Sequence, residues 1–182
     1  PCAAGRHRAD ASDYIGACDY CVAGTFSAAG ATTCTACAVG KHSVEGSIGC
    51  SGCPVGQHQT ATGQATCILC TAGTYSNSTG AVQCMGCDEG TYSVMGSALC
   101  VPCAEGHWSD VLSAQCAPCV AGTARPLAQD GCQPCPMGHV MGAVGAAHCG
   151  ELPCSAGLVP NAIQTECVPC VAGKFANDMF EC

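Results

Sequence analysis

Cysteine is the residue of this chain with the most chemistry to offer, and its spacing decides which chemistry is meant. There are 22 cysteines in 182 residues. Taking Cys2, Cys21, Cys37, Cys53, Cys70, Cys87, Cys103, Cys119, Cys135, Cys154 and Cys170 as openings, the successive steps are 19, 16, 16, 17, 17, 16, 16, 16, 19 and 16 residues. A second cysteine closes each unit: Cys18, Cys34, Cys50, Cys67, Cys84, Cys100, Cys116, Cys132, Cys149, Cys167 and Cys182. Neighbouring units therefore usually meet in a C-x2-C. Self-similarity at this period marks an array of eleven small modules, each expected to contact mainly its neighbours. The array divides as 1–18, 19–34, 35–50, 51–67, 68–84, 85–100, 101–116, 117–132, 133–149, 150–167 and 168–182.

Two chemistries use cysteine at this density: cross-linking and thiolate metal binding. C-x2-C pairs about twelve residues apart approach zinc-ribbon spacing. Zinc modules have separate knuckles in a basic setting, whereas here every C-x2-C is shared between neighbours and Lys and Arg number only 5. Disulfides are the expectation, with no metal and no cofactor. Bridging each opening to its own closing cysteine uses every thiol in loops of about 15 residues, each worth on the order of 3 kcal/mol. Bridges linking adjacent C-x2-C pairs would join neighbours instead, and spacing alone leaves the connectivity open.

The composition needs such staples. One Trp, four Tyr and three Phe, against 24 Gly and 10 Pro, cannot build one large core. Cysteine at this level implies an oxidising compartment, either the secretory lumen or the cell exterior. A formal charge of −8 argues against nucleic acid, which needs clustered cations. No apolar run approaches the roughly 20 residues of a membrane helix. A chain opening at Pro1 without a leader reads as an excerpt of a longer extracellular protein.

The elements that must hold the cysteines are small. The third residue after every opening cysteine is glycine: Gly5, Gly24, Gly40, Gly56, Gly73, Gly90, Gly106, Gly122, Gly138, Gly157 and Gly173. Eleven repetitions indicate a positive φ or a backbone too close to a disulfide for a Cβ. Two residues later many units place a ring, at Phe26, His42, His58, Tyr75, Tyr92, Trp108 and Phe175, a short strand signal. A second glycine precedes the closing cysteine by four residues at Gly30, Gly46, Gly63, Gly80, Gly96 and Gly145, where the chain turns back. Each unit reads as a hairpin with strands of three or four residues, marginal alone. The fold class expected is small, disulfide-rich and mostly irregular with short β-hairpins, forming an elongated tandem-repeat rod.

The pattern C-x2-G-T-Y-S-x3-G-x3-C-x2-C, seen from Cys70 to Cys87 and again from Cys87 to Cys103, resembles the ephrin-receptor-like cysteine-rich repeat and, more loosely, tumour-necrosis-factor-receptor modules. The resemblance implies an extended extracellular structure without catalysis, as in receptor ectodomains or large surface proteins of protists and algae. Departures are the long Cys2 to Cys18 unit, Ala124 in place of a ring, and an x4 linker from Cys149 to Cys154.

Sharper readings are weighed against plainer ones. His42 and His58 share a module position that could form a metal or pH-sensitive pair, but a ring replacing Tyr or Phe explains them more simply. His7, His107, His139 and His148 show no convergence. No nucleophile elbow, paired carboxylates or phosphate loop appears, so no enzyme is expected. Asn77-Ser78-Thr79 is an N-glycosylation sequon, and Ser and Thr elsewhere could carry O-linked sugars. The rings, with the valines, either form an exposed apolar row for a partner or stack on the preceding unit; stacking is the stronger expectation. The functional expectation is a structural segment at the cell surface, serving as a spacer or as the repeating body of a filament or coat, such as a flagellar hair (mastigoneme), with other protein subunits as partners. The alternative is a stalk or ligand-binding ectodomain of a receptor.

Overall fold

A computed structural model describes residues 1–8, 17–126, 130–150, 154–155 and 157–170. The expected Cys182, Gly173 and Phe175 lie outside the described residues. The chain forms two compact units, one of Pro1–Gly86 with Ser93–Cys100 and one of Cys87–Tyr92 with Val101–Cys182.

Each unit is a series of antiparallel two-stranded hairpins. In the first, Arg6–His7 pairs with Asp19–Tyr20, Thr25–Phe26 with Thr35–Ala36, Lys41–His42 with Ser51–Gly52, Gln57–His58 with Ile68–Leu69, and Thr74–Tyr75 with Met85–Gly86. In the second, Thr91–Tyr92 pairs with Val101–Pro102, His107–Trp108 with Ala117–Pro118, Thr123–Ala124 with Gln133–Pro134, and Leu158–Pro160 with Cys167–Pro169. All but the last have strands of two residues, shorter than the sequence suggests. The returning strand is the x2 of the C-x2-C. The linker between modules is thus itself half of a hairpin, which explains why two residues suffice there.

Opening cysteines bridge to the closing cysteine of their own module. Nine such bridges are Cys2–Cys18, Cys21–Cys34, Cys37–Cys50, Cys53–Cys67, Cys70–Cys84, Cys103–Cys116, Cys119–Cys132, Cys135–Cys149 and Cys154–Cys167. Their Cα atoms stand 5.5–5.8 Å apart, inside the normal disulfide range. Cys87, Cys100 and Cys170 are also disulfide-bonded. The opening cysteines from Cys2 to Cys154 are buried while the described closing ones are half-exposed. The interior is therefore a file of sulfur and backbone rather than a hydrophobic core.

Two-residue strands cannot stand alone, and backbone hydrogen bonds between modules supply what they lack. Module-glycine amides donate into the next module: Gly24 to the Ser43 carbonyl, Gly40 to Gln59, Gly56 to Ser76, each 2.7–2.8 Å, with Gly106 to Arg125 and Gly122 to Met141 repeating it in the second unit. A second series runs backward from the turn glycine to the preceding opening cysteine, as from Gly46 to the Cys21 carbonyl and Gly63 to Cys37. Modules thus stack by satisfying each other's main chain.

The described module glycines all have positive φ, between 71° and 87°. Their close neighbour, however, is not a disulfide. A Cβ on Gly40 would lie 2.1 Å from the carbonyl oxygen of Gly80, and one on Gly56 2.0 Å from that of Gly96. These partners belong to the module after next. Contacts therefore reach beyond nearest neighbours, which the simple picture of an array did not include.

Candidate interaction surface

Three kinds of position recur in each module, and they sort the candidate residues. The residue three beyond the module glycine is buried: Ser27, Ser43, Gln59, Ser76, Ser93, Ser109 and Arg125 are all 1–6% exposed. Four of these serines cap a main-chain oxygen of the previous module, Ser27 to Arg6, Ser43 to Thr25, Ser93 to Thr74 and Ser109 to Thr91, at 2.9–3.0 Å. The strand signal of the rings gives these serines no role. Their recurrence six residues after the opening cysteine was the available signal.

The ring positions are half-buried. The histidines at this position reach forward, whereas Trp108 packs back on the preceding unit as expected, its ring 2.7 Å from where a Cβ on Gly90 would lie. Nδ1 of His7 lies 3.2 Å from Sγ of Cys34, that of His42 3.3 Å from Cys67, and that of His58 3.2 Å from Cys84. Each is the closing sulfur of the following module. His7 thus belongs with His42 and His58, which the sequence reading missed. The reading that paired His42 with His58 is also corrected: each joins its own cysteine pair, and no three-residue cluster among the described residues contains two histidines.

The departing module at Cys119 is the most distinctive. With Ala124 replacing the ring and Arg125 the serine, the guanidinium reaches back to donate to the carbonyls of His107, Ala104 and Cys103 at 3.0–3.4 Å. It also lies 4.9 Å from the Trp108 ring centroid, a cation–π distance. The cation makes the main-chain cap that serine makes elsewhere, as Ser109 does to Thr91. Beside it Trp108, Asp110, Gln115, Pro118 and Thr123 line an open recess of about 370 Å³.

Positions facing water are apolar to an unusual degree. In the first unit Val22, Val44, Ile48, Met95 and Val94 are 61–72% exposed, and Tyr20, Ile68, Leu69 and Met85 stand out on the returning strands. The second unit repeats this with Val111, Leu112, Val120, Met137, Val144 and Ile163. The valines of the sequence expectation are exposed; the rings are not their companions. Residues 77–79, the sequon at Asn77, are also exposed.

Arrays of disulfide-stapled hairpins that satisfy their main chains across modules define a class of cysteine-rich repeat proteins. Residues 59–92 match the family described as tyrosine-protein kinase ephrin type A/B receptor-like. The same staple, glycine and hairpin recur on both sides of that segment, a tandem series of cysteine-rich repeats. No curated protein matches it. Among the described residues no helix is long and apolar enough to cross a membrane.

Proposed function

We propose that this chain is a non-catalytic structural segment of an extracellular or cell-surface protein, a stiff spacer or the repeating body of a filament or coat such as a flagellar hair. The observation carrying this reading is the repeated main-chain bonding between modules, Gly24 to Ser43, Gly40 to Gln59, Gly56 to Ser76 and Gly73 to Ser93 within the first unit. Such bonds couple every module to the next in one register and favour a job that every module shares. The disulfides favour an oxidising compartment. The exposed Val, Ile, Leu and Met side chains supply contact area for other protein subunits of the assembly, and Asn77 supplies a glycan site on the outside.

A receptor stalk or ectodomain is the second reading. It is favoured by the family match over residues 59–92 and by the recess beside Trp108.

Dye pairs attached through non-natural residues at 31 and 82, both within the first unit, test the spacer reading by energy transfer. Removing one whole module from between them is expected to shorten the distance by one fixed step, and removing two by twice that step. A distance insensitive to module number would overturn it.

A further inference from the structure

We infer that three modules carry a redox-gated site for a thiophilic d10 metal ion, Zn²⁺ or Cu⁺, made by a histidine of one module and the cysteine pair of the next. The donor sets are His7 with Cys21 and Cys34, His42 with Cys53 and Cys67, and His58 with Cys70 and Cys84, and in each the ligand atoms lie within 4.8 Å of one another. In the oxidised chain these sulfurs are joined to each other and carry no thiolate charge, so the sites are closed.

Reduction opens them. An external dithiol passes two electrons to the Cys53–Cys67 bond, leaving two protein thiols and its own cyclic disulfide. A metal ion then displaces the two thiol protons into solvent and takes the imidazole lone pair as its third ligand. Tetrahedral zinc with sulfur at about 2.3 Å and nitrogen at about 2.0–2.1 Å requires an N···S separation of about 3.6 Å and an S···S separation of about 3.8 Å. The observed Nδ1···Sγ distances of 3.2–3.3 Å are already near the first value. The second needs only that the freed sulfurs swing apart.

Main-chain bonds hold these ligands in addition to the bridge. The backbone of Cys53 donates to Gly40 at 2.8 Å and accepts from Gly80 at 2.7 Å, and Cys70 is held likewise by Gly56 and Gly96, Cys21 by Gly5 and Gly46. His42 and His58 are fixed by strand pairing to Ser51 and Ile68. The closing cysteines and histidines are half-exposed, which gives an ion a way in. Other modules provide the contrast: Phe26, Tyr75 and Tyr92 occupy the same position and offer no nitrogen.

The test uses the whole chain, partly reduced with a dithiol, with Co²⁺ as the spectroscopic probe and alkylation followed by peptide mapping as the second readout. A variant carrying His7→Phe, His42→Phe and His58→Phe places at each site the residue that Phe26 already provides. The expected result is uptake of three Co²⁺ with thiolate charge-transfer bands, protection of Cys21, Cys34, Cys53, Cys67, Cys70 and Cys84 from alkylation, and loss of both in the variant. Equal protection in the variant, protection spread evenly to modules such as Cys37–Cys50, no protection in the native chain, or equal uptake by the fully oxidised chain would each overturn the inference.

Discussion

Gly24 and Gly63 belong to modules two apart, yet a Cβ on Gly24 would lie 2.1 Å from the carbonyl oxygen of Gly63. The glycine that recurs after each opening cysteine is therefore a contact residue as well as a turn residue. At Gly5, Gly24, Gly40, Gly56, Gly106 and Gly122 the missing side chain lets the main chain of the second module along come into contact.

This separates two kinds of glycine that look alike in sequence. Gly40 and Gly80 both have positive φ, 73° and 76°, but a Cβ on Gly40 would meet the Gly80 oxygen at 2.1 Å while one on Gly80 has 3.8 Å of room. Gly80→Ala carries only the left-handed backbone cost of about 1–2 kcal/mol. Gly40→Ala must also move backbone. Gly80→Ala is expected to be secreted and oxidised near the native level, and Gly40→Ala to be retained or mispaired; equal yields would contradict the distinction.

Leu112 takes the turn-glycine position of its module with φ 60°, unfavourable for a branched side chain, and is 57% exposed. Leu112→Gly relieves backbone strain at little loss of burial, offset in part by the added freedom of the unfolded chain. A net gain of about 0.5–1 kcal/mol is expected in denaturant melts. A loss of stability would show that the leucine has a packing role.

The buried serines should matter more than exposed hydroxyls. Ser43 is 4% exposed and donates to the Thr25 carbonyl of the previous module, whereas Thr91 bonds within its own turn to Asp88. Ser43→Ala should cost about 1–3 kcal/mol and Thr91→Ala less than about 1. Hydrogen exchange at the Gly24 amide, which donates to the Ser43 carbonyl, reports the loosening directly.

Arg125 is 6% exposed and its Nη1 reaches three carbonyls while the guanidinium faces Trp108, the one tryptophan of the chain. Lysine keeps the charge but not the fork. Arg125→Lys is expected to destabilise by about 1.5–3 kcal/mol and to shift Trp108 fluorescence. Unchanged emission would place the guanidinium elsewhere.

How much of this was legible beforehand follows from what repeats. The cysteine period, the module glycine and the turn glycine were visible because each recurs at fixed spacing and has one physical meaning, and the hairpins followed. The returning strand was not, because Thr35–Ala36 or Met85–Gly86 carries no strand signal; its pairing is imposed by the cysteines on either side. The forward reach of His7, His42 and His58 onto the next bridge depends on how modules stack, which spacing along the chain does not encode. Arg125 was hidden for the opposite reason: a departure from the repeat reads as a loss until its guanidinium is seen taking the serine's cap and packing on Trp108.

The central claim is that each module is stapled within itself and registered to the next by its main chain. Mapping the disulfides of the non-reduced secreted chain after non-specific proteolysis tests it most directly. Peptides joining Cys21 to Cys34, Cys37 to Cys50, Cys53 to Cys67 and Cys70 to Cys84 are expected, with no unpaired thiol. Bridges across a shared linker, such as Cys34 to Cys37 or Cys50 to Cys53, would contradict the account at its foundation.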